Sequence, residues 1–363
     1  MTRKIIDSHC HICQWNTDGV SFIDAFKNYK EKCGLYAVNT LSLPMAGESR
    51  GVYSMAQNIV GAILKLEDET AYSYGGLYYP EAPINDELAE KFDFKGQAEE
   101  FMAMGFDGIK LLESKPSMHK TLGYGIHKKG YDAFFKYIED NDIPMNSHVA
   151  DPHEFWDRSK MPQLFIDKGW FYGDGTYASI EEIYGEVYNV LDRFPGIKIT
   201  LPHGFFMGHC LRELSKVLDK YPNTSIDLAP GPALFQASVG RYDEFKAFFE
   251  KYYNRIIFGT DANNYADFES LTKNLCSDVY RFFATADEYT AFSYYDSTCT
   301  IKGLGLSDEK VCAIECDNFV KLAGDKPKKI DKALLKKYIE KFLPYMPEDD
   351  TKNSIIDYYK NKL

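Results

Sequence analysis

The chain has 363 residues, 45% apolar and 15% aromatic, with 27 tyrosines and 25 phenylalanines, enough for a large core and an aromatic-lined cleft. Its net charge of −12 argues against nucleic acid as a partner, because phosphate binding needs a basic surface. No apolar run approaches the roughly 20 residues of a membrane span, and the first strand-like run begins too near Met1 for a signal peptide, so a cytoplasmic protein is expected.

Strand and helix patterns alternate from the start. Lys4 to His9 reads as a buried strand, followed by an amphipathic helix over Ser21–Cys33. Leu35 to Leu43 is a second strand and Tyr53–Asp68 its helix. Ala71 to Tyr79 is a third strand, after which Asn85 caps a charged helix reaching Met104. Gly108 to Leu112, Met145 to Val149, Lys198 to Leu201, Ser225 to Leu228 and Arg255 to Phe258 supply strands four to eight. Helices are expected over Gly130–Asp140, Ser179–Phe194, Gly208–Tyr221 and Val239–Tyr253, with a long irregular stretch from Asp151 to Ala178.

This alternation predicts an α/β fold, a (β/α)8 (TIM) barrel with a C-terminal helical extension. An open doubly wound sheet competes, but it gathers its site at one switch point. Here the chemistry-bearing residues end strands one, five, six and eight, and those converge only in a closed sheet. The barrel domain is assigned to residues 1–324 and the extension, with helices over Ala333–Met346 and Asn353–Tyr359, to 325–363. Asn263–Leu304 reads as an insertion or lid rich in Tyr and Phe, and Ser307–Leu322 as a closing helix.

The candidate site starts in Asp7-Ser8-His9-Cys10-His11. Alternate side chains on a strand share a face, so His9 and His11 project together and can close on one metal ion. His148, His203 and Asp261 each end a later strand-like run, where a barrel keeps its active site. A lone strand histidine is more often a hydrogen-bonded core residue than a ligand. The set of five, all at one end of the barrel, favours a metal centre. His119, His127, His153 and His209 have no such placement; His153 reads as a surface residue or a substrate contact.

The D-x-H-x-H opening, histidines ending strands five and six, and Gly259-Thr260-Asp261 together resemble the amidohydrolase superfamily, in its amidohydrolase-related branch. That resemblance spans Ile5 to Gly324 and implies His9, His11, His148 and Asp261 as ligands of a divalent metal. It implies His203 as a further ligand in two-metal members, or as a catalytic group beside the water in one-metal members. Lys110 stands in the strand where two-metal members carry a carboxylated, bridging lysine. The alternative is a barrel lysine paired with Glu113 or Asp107, and the one-metal form is favoured.

The expected activity is therefore metal-dependent hydrolysis of a carbonyl compound, an amide, lactone or related small molecule, with Asp261 and His203 catalytic. Non-oxidative decarboxylation of an aromatic or unsaturated carboxylic acid is the runner-up, since both chemistries share every motif. Zinc suits a His-rich site with one carboxylate, with manganese second. Arg50, Lys115 and Arg158 lie in loops where a substrate carboxylate could be gripped, and Trp156 and Tyr172 could wall a pocket. Cys10 and Cys13 form a C-x-x-C, but Cys10 alternates with the histidines and faces away from them, which argues against redox chemistry. The eight scattered cysteines read as small hydrophobes. Beyond the substrate, a homo-oligomer is the base-rate expectation.

Overall fold

The computed structural model describes residues 4–12, 16–17, 20–46, 48–263, 276–292 and 298–363, with backbone alone at 16–17, 20, 48–54 and 292. Nine strands form one all-parallel sheet: β1 (Ile6–His11), β2 (Ala37–Leu41), β3 (Tyr72–Gly76), β4 (Gly108–Ser114), β5 (Met145–Val149), β6 (Ile199–Leu201), β7 (Thr224–Asp227), β8 (Ile256–Ile257) and β9 (Ala262–Asn263). The order runs from β8 through β7 down to β1 and then β9. Because β8 and β9 are two halves of one run of chain, a single segment pairs β7 on one side and β1 on the other. Between them Phe258 O accepts from Ser8 N at 3.1 Å and His9 O from Asp261 N at 2.8 Å. The sheet closes there, and the fold is a (β/α)8 barrel.

Side chains of non-adjacent strands meet across the lumen. His9 of β1 reaches Asp227 of β7 at 2.9 Å, and Asn146 of β5 reaches the same carboxylate at 3.2 Å. The other end is plugged by apolar residues, among them Ile6, Ala37, Tyr72, Tyr74 and Ile257, with Phe319 from the closing helix.

Helices pack outside the barrel. The helix Phe22–Cys33 is capped by Ser21, whose hydroxyl accepts from Asp24 N, and ends at Gly34 in the left-handed region (φ 64°). The helix Ile180–Arg193 opens with a capping box between Ser179 and Glu182. The single helix expected from Asn85 to Met104 is two, Asp86–Phe92 and Phe94–Met104. Asp93 separates them at φ 47°, and its carboxylate accepts from Gly96 N to cap the second. Asp tolerates that conformation because its short side chain hydrogen-bonds locally.

The closing helix runs Asp308–Cys312, then a π-helical turn Ala313–Asp317, then Asn318–Ala323. Beyond it, Lys332–Phe342 and Asp350–Lys362 lie against the helix Glu48–Glu67, where Asn58 Nδ2 donates to Tyr338 Oη at 3.1 Å and Tyr358 Oη to Glu67 at 2.8 Å. Of the stretch read as a lid, Ser277–Ala284 is a helix and Glu288–Phe292 pairs antiparallel with Thr298–Lys302; residues 264–275 and 293–297 lie outside the described residues. No described helix is long and apolar enough to cross a membrane.

Candidate metal centre

The D-x-H-x-H stretch works through a break in its own alternation. The register of β1 against β2 shifts between Asp7 and Cys10, a bulge of the kind that re-aims side chains beside active sites. Ile6 packs in the lumen plug, Asp7 turns outward to the helix Phe22–Cys33, and His9 and His11 point inward. Asp7 Oδ2 accepts from Tyr29 Oη (2.5 Å) and Thr260 Oγ1 (2.6 Å), and Oδ1 from the amides of His9 and Thr260 (both 3.1 Å). One buried carboxylate thus ties the first strand to the Gly259-Thr260-Asp261 turn. Gly259 is needed there, because a Cβ would come within 2.9 Å of His9 Cβ.

The other strand ends carry backbone strain. Ala150, His203 and Asp261 follow β5, β6 and β8 with φ of 60°, 62° and 59°, a region that costs non-glycine residues on the order of 1 kcal/mol or more. Each turn throws a polar group over the mouth of the barrel.

Proton positions on the four histidines follow from their partners. Carbonyl oxygens only accept, so Nδ1 of His11, 2.8 Å from Leu41 O, carries its proton, as does Nδ1 of His203, 2.5 Å from Ala229 O. His148 Nε2 donates to Ala150 O at 2.9 Å and lies 3.2 Å from Asp151 Oδ1. His9 Nδ1 donates to Asp227 Oδ2. The opposite nitrogen of every ring points into the site, a lone pair in the neutral ring, and these nitrogens face one another. His9 Nε2 lies 3.1 Å from His11 Nε2, and His203 Nε2 lies 3.0 Å from His148 Nδ1. Asp261 Oδ1 adds a further donor, 3.0 Å from His11 Nε2 and 3.4 Å from His9 Nε2.

Burial pulls the imidazoles of His11, His148 and His203 below their ordinary value, His203 to about 4, so these three rings are neutral at neutral pH. Donors crowded this way repel unless a cation lies among them. Two nitrogens bound at 2.0–2.1 Å to a tetrahedral ion stand roughly 3.3 Å apart, close to the spacing of these pairs. The donor set fits a divalent metal. His9, His11 and Asp261 form the tight group, all their donor atoms within 4.8 Å of one another. His148 and His203 form a second pair beside it, with the His9 and His203 ring centres 5.2 Å apart.

Asp227 escaped the sequence reading and is central. Fully buried, it accepts from His9 Nδ1 and Asn146 Nδ2 on one oxygen, and from the amides of His203 (3.0 Å) and Ala229 (3.2 Å) on the other. Burial pushes its carboxyl up, but the His9 and His203 contacts outweigh that and hold it below the usual range. Asp261 is likewise held low: partial burial opposes, and the facing imidazoles of His11, His9 and His203 prevail. Lys110 is buried and finds neither of its expected partners. It donates to Asn146, whereas Asp107 is taken by Lys65 and Glu113 by Tyr79. Burial lowers its amine to about 8, against the charges of Asp227, Asp261 and Glu113.

Next to His148, Asp151 receives Lys115 Nζ on both oxygens (2.7 and 2.8 Å) and Tyr172 Oη at 2.7 Å. Tyr172 is 1% exposed, so it bears on the site through Asp151 rather than at a pocket wall. Trp156 packs on the Tyr172 ring at 5.0 Å and donates to Ala178 O. Arg158 is exposed and bonds Gln163, and the side chain of Arg50 lies outside the described residues. A cavity of about 400 Å³ opens from His203, with Phe206, Leu234, His153, Glu154 and His209 among its walls. Phe206 joins the two regions, its ring 4.9 Å from His203 and 5.6 Å from His148.

Residues 86–318 match the family model of the amidohydrolases. No curated protein matches the chain. Among solved structures, an amidohydrolase II is 14% identical with a TM-score of 0.54, covering 89% of this chain and 100% of its own. A 2,6-dihydroxybenzoate decarboxylase is 12% identical with a TM-score of 0.52, over 88% and 99% of the two chains. The 5-carboxyvanillate decarboxylase of Sphingomonas paucimobilis is 11% identical with a TM-score of 0.51, over 89% and 99%. These likenesses are of fold.

Proposed function

Because the chain belongs to the amidohydrolase family, we propose that it is a cytoplasmic enzyme that holds one divalent ion, zinc in the first instance, and hydrolyses a carbonyl bond of a small molecule. The ligands in this reading are His9, His11, His148 and Asp261. The observation that carries it is the set of inward-facing imidazole nitrogens crowded together beside an ionised Asp261. A divalent ion bound there supplies Lewis acidity, bringing the pKa of water towards neutrality and polarising a carbonyl oxygen.

The chain's own groups do the rest. Asp261 takes a proton from the attacking water and returns it to the leaving group. His203 has its proton fixed on Nδ1 by Ala229 O, so its Nε2 offers only an acceptor. It orients the water and does not donate to a developing oxyanion. Lys110, engaged with Asn146, keeps the lumen polar and positions that residue against Asp227. Phe206 and Leu234 limit water beside His203.

Decarboxylation is the second reading, supported by the decarboxylases among similarly folded structures; Asp261 would then deliver its proton to carbon. The test is metal stoichiometry on protein purified without added metal, followed by product analysis on a panel of amides, lactones and aryl carboxylates. One ion per chain and a hydrolysed product are expected. Carbon dioxide release in place of hydrolysis selects the second reading, and failure to take up zinc or manganese overturns both.

A further inference from the structure

The cavity beside His203 has a built far wall. His153 and His209, from the loops after β5 and β6, stack with ring centres 3.9 Å apart and planes 28° from parallel. His153 Nδ1 lies 3.0 Å from Glu154 Oε2. Burial would raise the Glu154 carboxyl, but the contact with His153 holds it below its usual range, so it is an ionised acceptor. Nδ1 of His153 therefore carries a proton. In the neutral ring Nε2 is a lone pair, strengthened as an acceptor by the carboxylate behind the ring.

Charge around this wall selects against anions. Glu154 is negative, and the nearby cation is not on offer: Arg241 donates Nε and one terminal nitrogen to Glu244 and the other to the carbonyls of Gly208 and Ala237. A second carboxylate on the substrate would meet repulsion without a counter-charge. A neutral hydroxyl would meet an acceptor. At about 400 Å³ the cavity is at the small end for ligand sites, suited to a compact molecule that spans from His203 to the stacked pair.

We propose that His153, backed by Glu154 and held against His209, is a specificity-determining residue whose Nε2 accepts a hydrogen bond from a neutral hydroxyl at the substrate end remote from the reacting carbon. The assignment rests on the cavity being the substrate pocket of the reading above, but its test does not need turnover.

Histidine-labelled protein is titrated with phenol, toluene and isophthalate, and the His153 ring resonance, identified by its loss in His153→Phe, is followed by carbon–proton correlation. Phenol should move it saturably, with about fivefold tighter binding than toluene, the ratio expected of one hydrogen bond between neutral groups worth about 1 kcal/mol. Isophthalate should leave it unmoved. The Phe variant, which keeps a ring in the stack, should bind phenol and toluene alike. Equal affinity for phenol and toluene in the native chain, a preference that survives His153→Phe, a response to isophthalate, or no response to any probe overturns the assignment. Repeating the titration after chelation separates the two claims, since a metal-free chain that still prefers phenol retains the subsite even where the metal reading fails.

Discussion

Asp227→Asn is the sharpest probe of the centre, because it removes a charge and almost no volume. The new amide has one acceptor where the carboxylate had two, and it must satisfy two rigid backbone amides, His203 N and Ala229 N, on one side. Its oxygen stays with those, since the backbone cannot change from donor to acceptor. The amide nitrogen then faces His9 Nδ1, which accepts from it only by moving its own proton to Nε2. That proton lands where His9 meets His11 and Asp261, on the lone pair assigned to the metal. Loss of a partner behind a metal-bound histidine weakens affinity roughly 10–100-fold, or about 1.4–2.7 kcal/mol. The wrong tautomer places this variant at the upper end. Chelator-competition titration of zinc into native and variant protein reads the change, with circular dichroism to confirm an intact fold. A folded Asp227→Asn chain with native zinc affinity would falsify both the tautomer assignment and His9 as a ligand.

Asp261→Asn should keep the fold and lose at least about 100-fold in turnover, the lower range for a removed acid–base group; steady-state rates check it, and a fully active variant removes the proton-transfer role. Gly259→Ala should destabilise the chain by about 1–3 kcal/mol, because the added methyl meets His9 Cβ in a closed strand pair; a urea midpoint equal to the native one would show that the turn can shift. For pH, a depressed histidine leaves the fold fully stable above its unfolded pKa, and stability is lost progressively as pH falls from there to the folded pKa. From an unfolded 6.5 and a folded value of about 4, His203 alone should cost the chelated protein about 2 kcal/mol between pH 8 and pH 5. Urea unfolding at the two pH values checks this, and His203→Gln should remove that share of the slope.

The residues legible in the sequence were those whose placement depends on short-range geometry. His9 and His11 share a face because they are two apart, and His148, His203 and Asp261 could be placed once each was seen to end a strand. Asp227 was invisible: Ser225-Ile226-Asp227 carries no motif, and the residue matters only because β7 lies across the lumen from β1, 218 residues away in sequence. The outward turn of Asp7 was hidden for a related reason, since strict alternation puts it on the same face as His9 and only the pairing with β2 reveals the bulge. The break at Asp93 is a choice between helix continuation and a local side-chain cap, which periodicity does not resolve. His153 and His209 lie in two loops without pattern, and only the folded barrel stacks them.

The segment that closes the barrel also has a bearing on how the protein is made. Asp7 binds Thr260 across 253 positions of sequence, so β1 is synthesised long before its second neighbour. At 5–20 residues per second, the ribosome needs roughly 12–50 s to cover that distance. Throughout that interval β1 can pair with β2 but has an open edge on its other side, and the lumen-plugging Ile6 lacks Ile257 and Phe319. A nascent chain in this state exposes the template for intermolecular pairing that a closed barrel abolishes. Factors that shield emerging strands should therefore govern yield, and the three-residue cluster of His9, His11 and Asp261 cannot exist until nearly three quarters of the chain has been translated.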